Sequence, residues 1–145
     1  MKKFPRPEIL LVDDTKSDIN LIRIILEEEG FEGDLQVVSQ GEEALDFVFC
    51  RGNYSGRSSS AIPDLIFLDL HMPRMNGYKV IEVLKEHPKT VSIPIIVLSA
   101  LESDEDLCHC YSMGVGGYIV KPTGFEMFRD KVVGTLKFWL QDAVH

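Results

Sequence analysis

Short apolar runs that stop at acids alternate along this chain with stretches whose apolar residues recur every three or four positions. Glu8-Ile9-Leu10-Leu11-Val12-Asp13 is one such run, continuous rather than alternating, which suits a strand buried on both faces of a parallel sheet. Thr15-x-x-Asp18 then reads as a capping-box-like helix start, with Ile19, Ile22 and Leu26 at helical spacing and Gly30 as the stop. Leu35 to Ser39 is a predicted strand, and Gly41 to Cys50, with Ala44, Leu45 and Val48 on one side, a predicted helix. Arg51 to Pro63 breaks the pattern. Its two glycines, four serines and proline mark a surface loop longer than most connections in a compact domain.

The alternation then resumes. Asp64 to Leu70 is a strand, Gly77 to Glu86 a helix, and Ile93 to Leu98 a strand introduced by Pro94. Ser103 to Met113 is a helix stopped by Gly114, Gly117 to Val120 the last strand, and Gly124 to Leu140 the closing helix. Strand and amphipathic helix in regular turn imply an α/β domain whose parallel sheet is covered on both faces by right-handed crossovers. A flavodoxin-like (βα)5 three-layer sandwich of strand order 2-1-3-4-5 is the expected architecture. We expect one domain over residues 1–145, its core spanning about 8–140, with no output domain, so that any output runs through its own surface. In the last helix Phe125, Phe128, Val132, Leu136 and Trp139 form the expected core face. Val133, Phe138 and Leu140 fall off it and would suit dimerisation or docking on a partner.

Composition narrows the function. A chain of 145 residues that is 45% hydrophobic and 26% charged fits one globular domain. A formal net charge of -8 and the lack of a basic helix face argue against nucleic acid as a direct partner. No apolar segment follows Lys2-Lys3, and no run approaches the roughly 18 apolar residues of a membrane span, so a cytoplasmic protein without a membrane partner is expected. Cys50, Cys108 and Cys110 make an odd count with no Cys-x-x-Cys pair, which fits a reducing compartment. Cys108-His109-Cys110 is not a metal site on a helix, because residues two apart diverge by about 200°.

In a doubly wound sheet, ligands bind at the carboxyl ends of the strands near the reversal in strand order. Asp13 and Asp14 end the first strand, Asp69 the third, Ser99 the fourth and Lys121 the fifth. Strands one and three are neighbours in the expected order, so three carboxylates meet in one cleft beside a hydroxyl and an ammonium. A hard divalent cation such as Mg2+, with Mn2+ able to substitute, relieves their repulsion. Asp69 is then the candidate nucleophile toward phosphorus, with the metal and Lys121 neutralising phosphoryl charge and Ser99 donating a hydrogen bond.

Val12-Asp13-Asp14, Leu68-Asp69-Leu70-His71-Met72-Pro73-Arg74-Met75-Asn76-Gly77, Leu98-Ser99-Ala100 and Lys121-Pro122 together resemble the receiver domains of two-component response regulators, over roughly residues 8 to 140. The resemblance implies that Asp14 is the main acidic metal ligand with Asp13 assisting. It makes Asp69 phosphoacceptor and ligand, the His71 backbone carbonyl a third protein contact, and Lys121-Pro122 a cis peptide. It also implies a switch in which Ser99 is drawn in while Tyr118 turns inward. The long loop and the ending Phe138-Trp139-Leu140 resemble the single-domain regulators of bacterial phytochromes. That implies a sensor histidine kinase as partner, a phytochrome among the candidates, while the apolar strip left off the core face of the last helix is what suggests a homodimer through that region. The chain departs from the family at His71, where Asn or another short residue is common. Two residues past the acceptor, an imidazole can stand beside an incoming water and tune the phosphoryl lifetime.

Three rivals are weaker. A degenerate receiver acting as an unphosphorylated interaction module should lack an acid, the acceptor or the lysine, and none is missing. A phosphatase of the haloacid dehalogenase type needs Asp-x-Asp, whereas Asp69-Leu70-His71 lacks the second acid. A flavin-binding protein of this fold needs a hydroxyl-rich phosphate loop after the first strand. The expected activity is self-phosphorylation with slow hydrolysis, not turnover of a small substrate.

Overall fold

Successive residues of a strand face opposite ways, and here that alternation divides each strand between two cores. In the computed structural model, which describes residues 6–58, 61–72, 76–100, 103–121 and 124–140, the strands are β1 (Glu8–Val12), β2 (Asp34–Val38), β3 (Leu65–Asp69), β4 (Ile95–Ser99) and β5 (Gly117–Val120). All pair in parallel, in the order β2-β1-β3-β4-β5. This is the flavodoxin-like arrangement that the strand-helix alternation predicts.

Leu10, Val12, Ile66, Leu68, Ile95 and Val97 face α2 (Gly41–Val48), α3 (Gly77–Glu86) and α4 (Asp104–Ser112). Ile9, Leu11, Leu65, Phe67, Ile96 and Leu98 face α1 (Lys16–Glu28) and α5 (Phe125–Trp139). Nearly every residue of β1, β3 and β4 is buried, which is why these strands read as continuous apolar runs. At about 1.5–3 kcal/mol per fully buried large aliphatic or aromatic side chain, the two layers carry most of the stabilisation.

Several expectations need correction. Thr15 caps α1 without a side-chain hydrogen bond, so no capping box forms; Asp18 is instead drawn to Lys121. α2 stops at Val48 rather than Cys50, because Cys50 takes a left-handed backbone (φ 56°), a conformation that non-glycine residues adopt at a cost. In α5 only Phe128, Val132 and Leu136 of the expected face are buried, while Phe125 and Trp139 are 43% and 39% exposed. A helix of 15 residues runs about 22 Å, against about 13 Å for a strand of four residues, so its ends overhang the sheet. Val133 and Leu140 pack partly against the core, which leaves Phe138, 75% exposed, as the outward apolar residue of the expected strip.

The Arg51–Pro63 loop is pinned where it is described. A 3-10 turn spans Gly52–Tyr54. The Arg57 guanidinium donates to both carboxylate oxygens of Glu8 at 3.1 Å and to the carbonyls of Phe47 and Ala61, and it lies 3.6 Å from the Phe47 ring centroid. This clamp reaches the first residue of β1, at the opposite end of the sheet from the acidic strand ends.

Candidate functional site

The side-chain alternation that builds the two cores continues past the strand ends and sorts the polar residues. Asp13 follows Ile9 and Leu11, Asp69 follows Leu65 and Phe67, and Lys121 follows Ile119. All three therefore turn to the face covered by α1 and α5, where those apolar residues pack. Ser99 follows Ile95 and Val97, and it shares the α3–α4 face with Tyr118. Strand pairing levels the ends, with Val12 opposite Leu68 and Asp69 opposite Leu98.

The result is an acidic cleft that the Lys121 ammonium enters. Lys121 Nζ lies 3.1 Å from Asp13 Oδ2, 2.9 Å from Asp18 Oδ2 and 3.1 Å from Asp69 Oδ2. Burial works to lower the Lys121 pKa, but the carboxylates of Asp18, Asp13 and Asp69 outweigh it and the net shift is upward. The lysine is a fixed cation. Asp13 is fully buried, and burial raises its pKa against the opposing Thr15 N–H and Lys121 charge. Its Oδ1 accepts from the Thr15 N–H at 2.9 Å, whereas Oδ2 is buried without a hydrogen-bond partner, although it sits at ion-pair distance from Lys121.

Asp69 is nearly buried. Its Oδ1 accepts from the His71 N–H at 3.2 Å and its Oδ2 from Lys121 at 3.1 Å. The approach of α3 to this corner depends on Gly77, where a Cβ would stand 2.8 Å from Leu70 Cα and 3.0 Å from the Asp69 carbonyl oxygen. Asn76 caps α3 by accepting from the Lys79 N–H at 3.1 Å, as a short polar N-cap does.

Carboxylate oxygens of Asp13, Asp14 and Asp69 lie within 4.8 Å of one another. An all-oxygen, anionic set of three converging carboxylates is what a hard divalent cation takes up, so the cluster fits such a site. Asp14 is exposed and leaves an open side toward solvent.

On the other face, Ser99 is fully buried and hydrogen-bonds the Tyr118 phenol. Tyr118 packs against the α2–α4 core. Burial raises its pKa; the Ser99 bond lowers it, and the nearby Asp106 and Cys110 raise it further. The structure thus brings together Asp13, Asp14, Asp69 and Lys121, and it places Ser99 with Tyr118. The expected cis peptide at Lys121-Pro122 involves Pro122, which lies outside the described residues. Sequence reasoning missed two acids. Asp18 joins the lysine, and Asp106 lies 3.5 Å from His71 Nε2 through Oδ2 while accepting from the Tyr78 hydroxyl through Oδ1. Each precedes a buried residue of its own helix by one turn, Ile22 and Cys110 respectively, and that spacing was the available signal.

The response regulator receiver domain model matches residues 9–133. The chain is 34% identical over 132 residues to the probable methanogenesis regulatory protein FilR2 of Methanothrix harundinacea, covering 91% of this chain and 83% of that one. It is 31% identical to the response regulator Rcp1 of Synechocystis, over 94% of this chain and 91% of the relative. A crystal structure of the Mn2+-bound form of Rcp1 superposes with a TM-score of 0.84. The phosphorylated cyanobacterial phytochrome response regulator RcpA superposes with a TM-score of 0.85 at 34% identity, over 96% of this chain and 97% of the other.

Proposed function

The chain belongs to the response regulator receiver domain family, and from that premise we propose that it takes a phosphoryl group from a sensor histidine kinase onto Asp69 in the presence of a divalent cation. The observation that carries the proposal is the single Lys121 ammonium held by Asp13, Asp18 and Asp69. A fixed cation beside a nearly buried carboxylate is what transfer of a phosphoryl group to that carboxylate requires.

Asp69 attacks phosphorus as a carboxylate, the bond from phosphorus to the kinase histidine nitrogen breaks, and Lys121 turns its charge to the phosphoryl oxygens. Asp14, with Asp13, Asp69 and the His71 carbonyl, would hold Mg2+ or Mn2+, which supplies positive charge against the added phosphoryl oxygens. Ser99 donates to the phosphoryl group once drawn toward it. Its bond to Tyr118 makes the pair the switch that reports the change to the surface. Such chemistry is directed at the protein itself and turns over no released small substrate.

Likeness to RcpA and Rcp1 supports a phytochrome-type kinase as the donor. The acidic balance, -8 overall, supports a protein partner in place of nucleic acid, and no helix among the described residues is long and apolar enough to cross a membrane. We read the site of action as cytoplasmic. The output face would be the last helix region, in a homodimer, where Phe138 and Trp139 border a groove of about 360 Å³ floored by Gly116, Gly117 and Gly134.

The test is intact mass after incubation with phosphoramidate and Mg2+, for wild type, Asp69→Asn and a metal-free control. A gain of about 80 Da, one phosphoryl group, that needs both Asp69 and metal is the expected result. No gain under conditions that label a known receiver would overturn the reading in favour of an unphosphorylated interaction module.

A further inference from the structure

We propose that Asp106 is a positioning residue: it parks the His71 imidazole against α4 and so keeps it from assisting the water that hydrolyses the acyl phosphate. The inference rests on Asp69 being the phosphoacceptor. In hydrolysis a water oxygen forms a new bond to phosphorus and the bond from phosphorus to the Asp69 carboxylate breaks. Asp69 returns as a carboxylate, inorganic phosphate leaves, and the water proton passes to phosphate or solvent. An imidazole free to face that water speeds the step by taking its proton as the bond forms.

His71 is well placed to do so unless something prevents it. It lies two residues beyond Asp69 and its backbone N–H is held by the Asp69 carboxylate. Its side chain is 49% exposed, so solvent leaves the ring room to turn about its own bonds, and in this proposal that turn brings it to the water. Asp106 opposes that rotation. One of its oxygens faces His71 Nε2 at 3.5 Å, and the other accepts the Tyr78 hydroxyl.

The mounting is held on two sides. The Asp106 N–H donates to the α4 cap residue Ser103 at 3.2 Å. Tyr78 is fixed by α3 and stacks on His109 of α4, ring centroids 4.4 Å apart at 22°. The Asp106 side chain is only 20% exposed, so little water competes for it. Burial first, and then the bond to Asp106, raise the Tyr78 pKa, so the phenol remains a neutral donor. One carboxylate thus joins α3, α4 and the acceptor loop, and loosening it frees the imidazole.

The experiment is the rate of phosphoryl loss, followed by intact mass after labelling with phosphoramidate and Mg2+. It compares wild type, Asp106→Asn, Tyr78→Phe, His71→Ala and the double variant Asp106→Asn/His71→Ala. Asp106→Asn keeps the shape and should shorten the lifetime roughly tenfold, a fraction of the ~100-fold that a positioned base can supply. Tyr78→Phe, which leaves the charge in place, should fall between. His71→Ala should abolish the effect of Asp106→Asn, whereas a merely structural role would act equally with or without the imidazole. An unchanged or longer lifetime in Asp106→Asn, or an acceleration that persists without His71, overturns the proposal. The His71 ring resonance in unphosphorylated protein must also shift in Asp106→Asn and Tyr78→Phe, and a resonance that stays put overturns the parking by itself. If Asp69 takes no label, the phosphoacceptor reading fails, while the resonance still judges the Asp106 contact.

Discussion

Replacing Asp14 by Asn should make the metal-free protein more stable while weakening its response to Mg2+. Among the described residues, the Lys121 ammonium serves Asp13, Asp18 and Asp69, and Asp14 is not among its partners. Asp14 lies within 4.8 Å of both Asp13 and Asp69. At the dielectric of water, the suitable limit for an exposed group, 332/(80 × 4.8) gives about 0.9 kcal/mol of repulsion per pair. Two pairs come to about 2 kcal/mol, of which the Lys121 charge cancels part, leaving a gain of about 1 kcal/mol. With an unfolding entropy of about 0.3 kcal/mol/K for a chain of this length, Tm should rise by about 3 °C in EDTA.

Magnesium reverses the advantage. For a site of about 1 mM affinity, 10 mM Mg2+ stabilises wild type by about 1.4 kcal/mol, whereas a site weakened tenfold by loss of one ligand gains about 0.4 kcal/mol. The two melting curves should therefore be about 3 °C apart in EDTA and nearly coincide in 10 mM MgCl2. Thermal melts followed by circular dichroism, with and without metal, read both numbers. The side-chain oxygen that faces the Thr15 hydroxyl at 3.5 Å is kept by Asn, so the substitution removes the charge at nearly constant shape, exchanging one acceptor oxygen for an NH2 donor. A variant less stable than wild type in EDTA, or one with an undiminished Mg2+ response, would refute the reasoning.

Other changes act elsewhere in the same framework. Lys121→Met strands three mostly buried carboxylates and should cost about 3 kcal/mol at pH 7.5 without metal. The lysine's pKa is raised in the fold, so its contribution is in place below its ordinary 10.5 and is lost only as pH rises through the folded value. Carboxylates raised in the fold, as Asp13 already is, favour folding at low pH, so the variant's deficit in urea titrations should shrink toward about pH 5; a deficit that grows on acidification contradicts this. Arg57→Ala removes the bidentate clamp on Glu8 and should lower stability by about 2 kcal/mol, seen as a Tm drop of about 6 °C, with phosphorylation by phosphoramidate unaltered. Burial, then the Asp106 charge, push the Cys110 thiol up to about 11, so a thiol reagent at pH 8 should modify exposed Cys108 and spare Cys110 until the protein unfolds.

The fold was legible because β1, β3 and β4 are buried on both faces and so leave unbroken apolar runs, and because Gly30, at φ 65°, marks the end of α1. What the pattern could not show was competition for side chains across the fold. Asp18 has the spacing of a capping residue, yet a buried ammonium from β5 binds it more strongly than a backbone N–H that water can reach. Cys50 carries no mark of a left-handed turn, and serines do not reveal that Arg57 will pin their loop to Glu8. Phe125 and Trp139 obey helical periodicity, and they are exposed only because α5 is longer than the strand beneath it, a matter of relative lengths that no window on one helix contains.

The same distinction separates the parts of the site that strand reading finds from those it does not. Asp13, Asp69 and Lys121 are found because each continues the alternation of its own strand onto one face, and parallel pairing then places the ends side by side. Ser99 and Tyr118 follow the opposite parity, so the acidic cluster with its lysine and the Ser99–Tyr118 pair lie on two sides of the sheet, and under the proposed function a signal from one passes around the strand ends. His71 stands at that turn. The acids that meet the strand-end residues, Asp18 at Lys121 on one face and Asp106 at His71 on the other, come from helices, where period-3.6 geometry aims the first turn's inward residue at the rim of the sheet. In each case the acid stands one turn ahead of a buried residue of its own helix, Asp18 ahead of Ile22, and Asp106 ahead of Cys110, the one buried residue of α4. An acid in that position is delivered by its helix to the rim of the sheet, where Asp18 meets Lys121 and Asp106 meets His71.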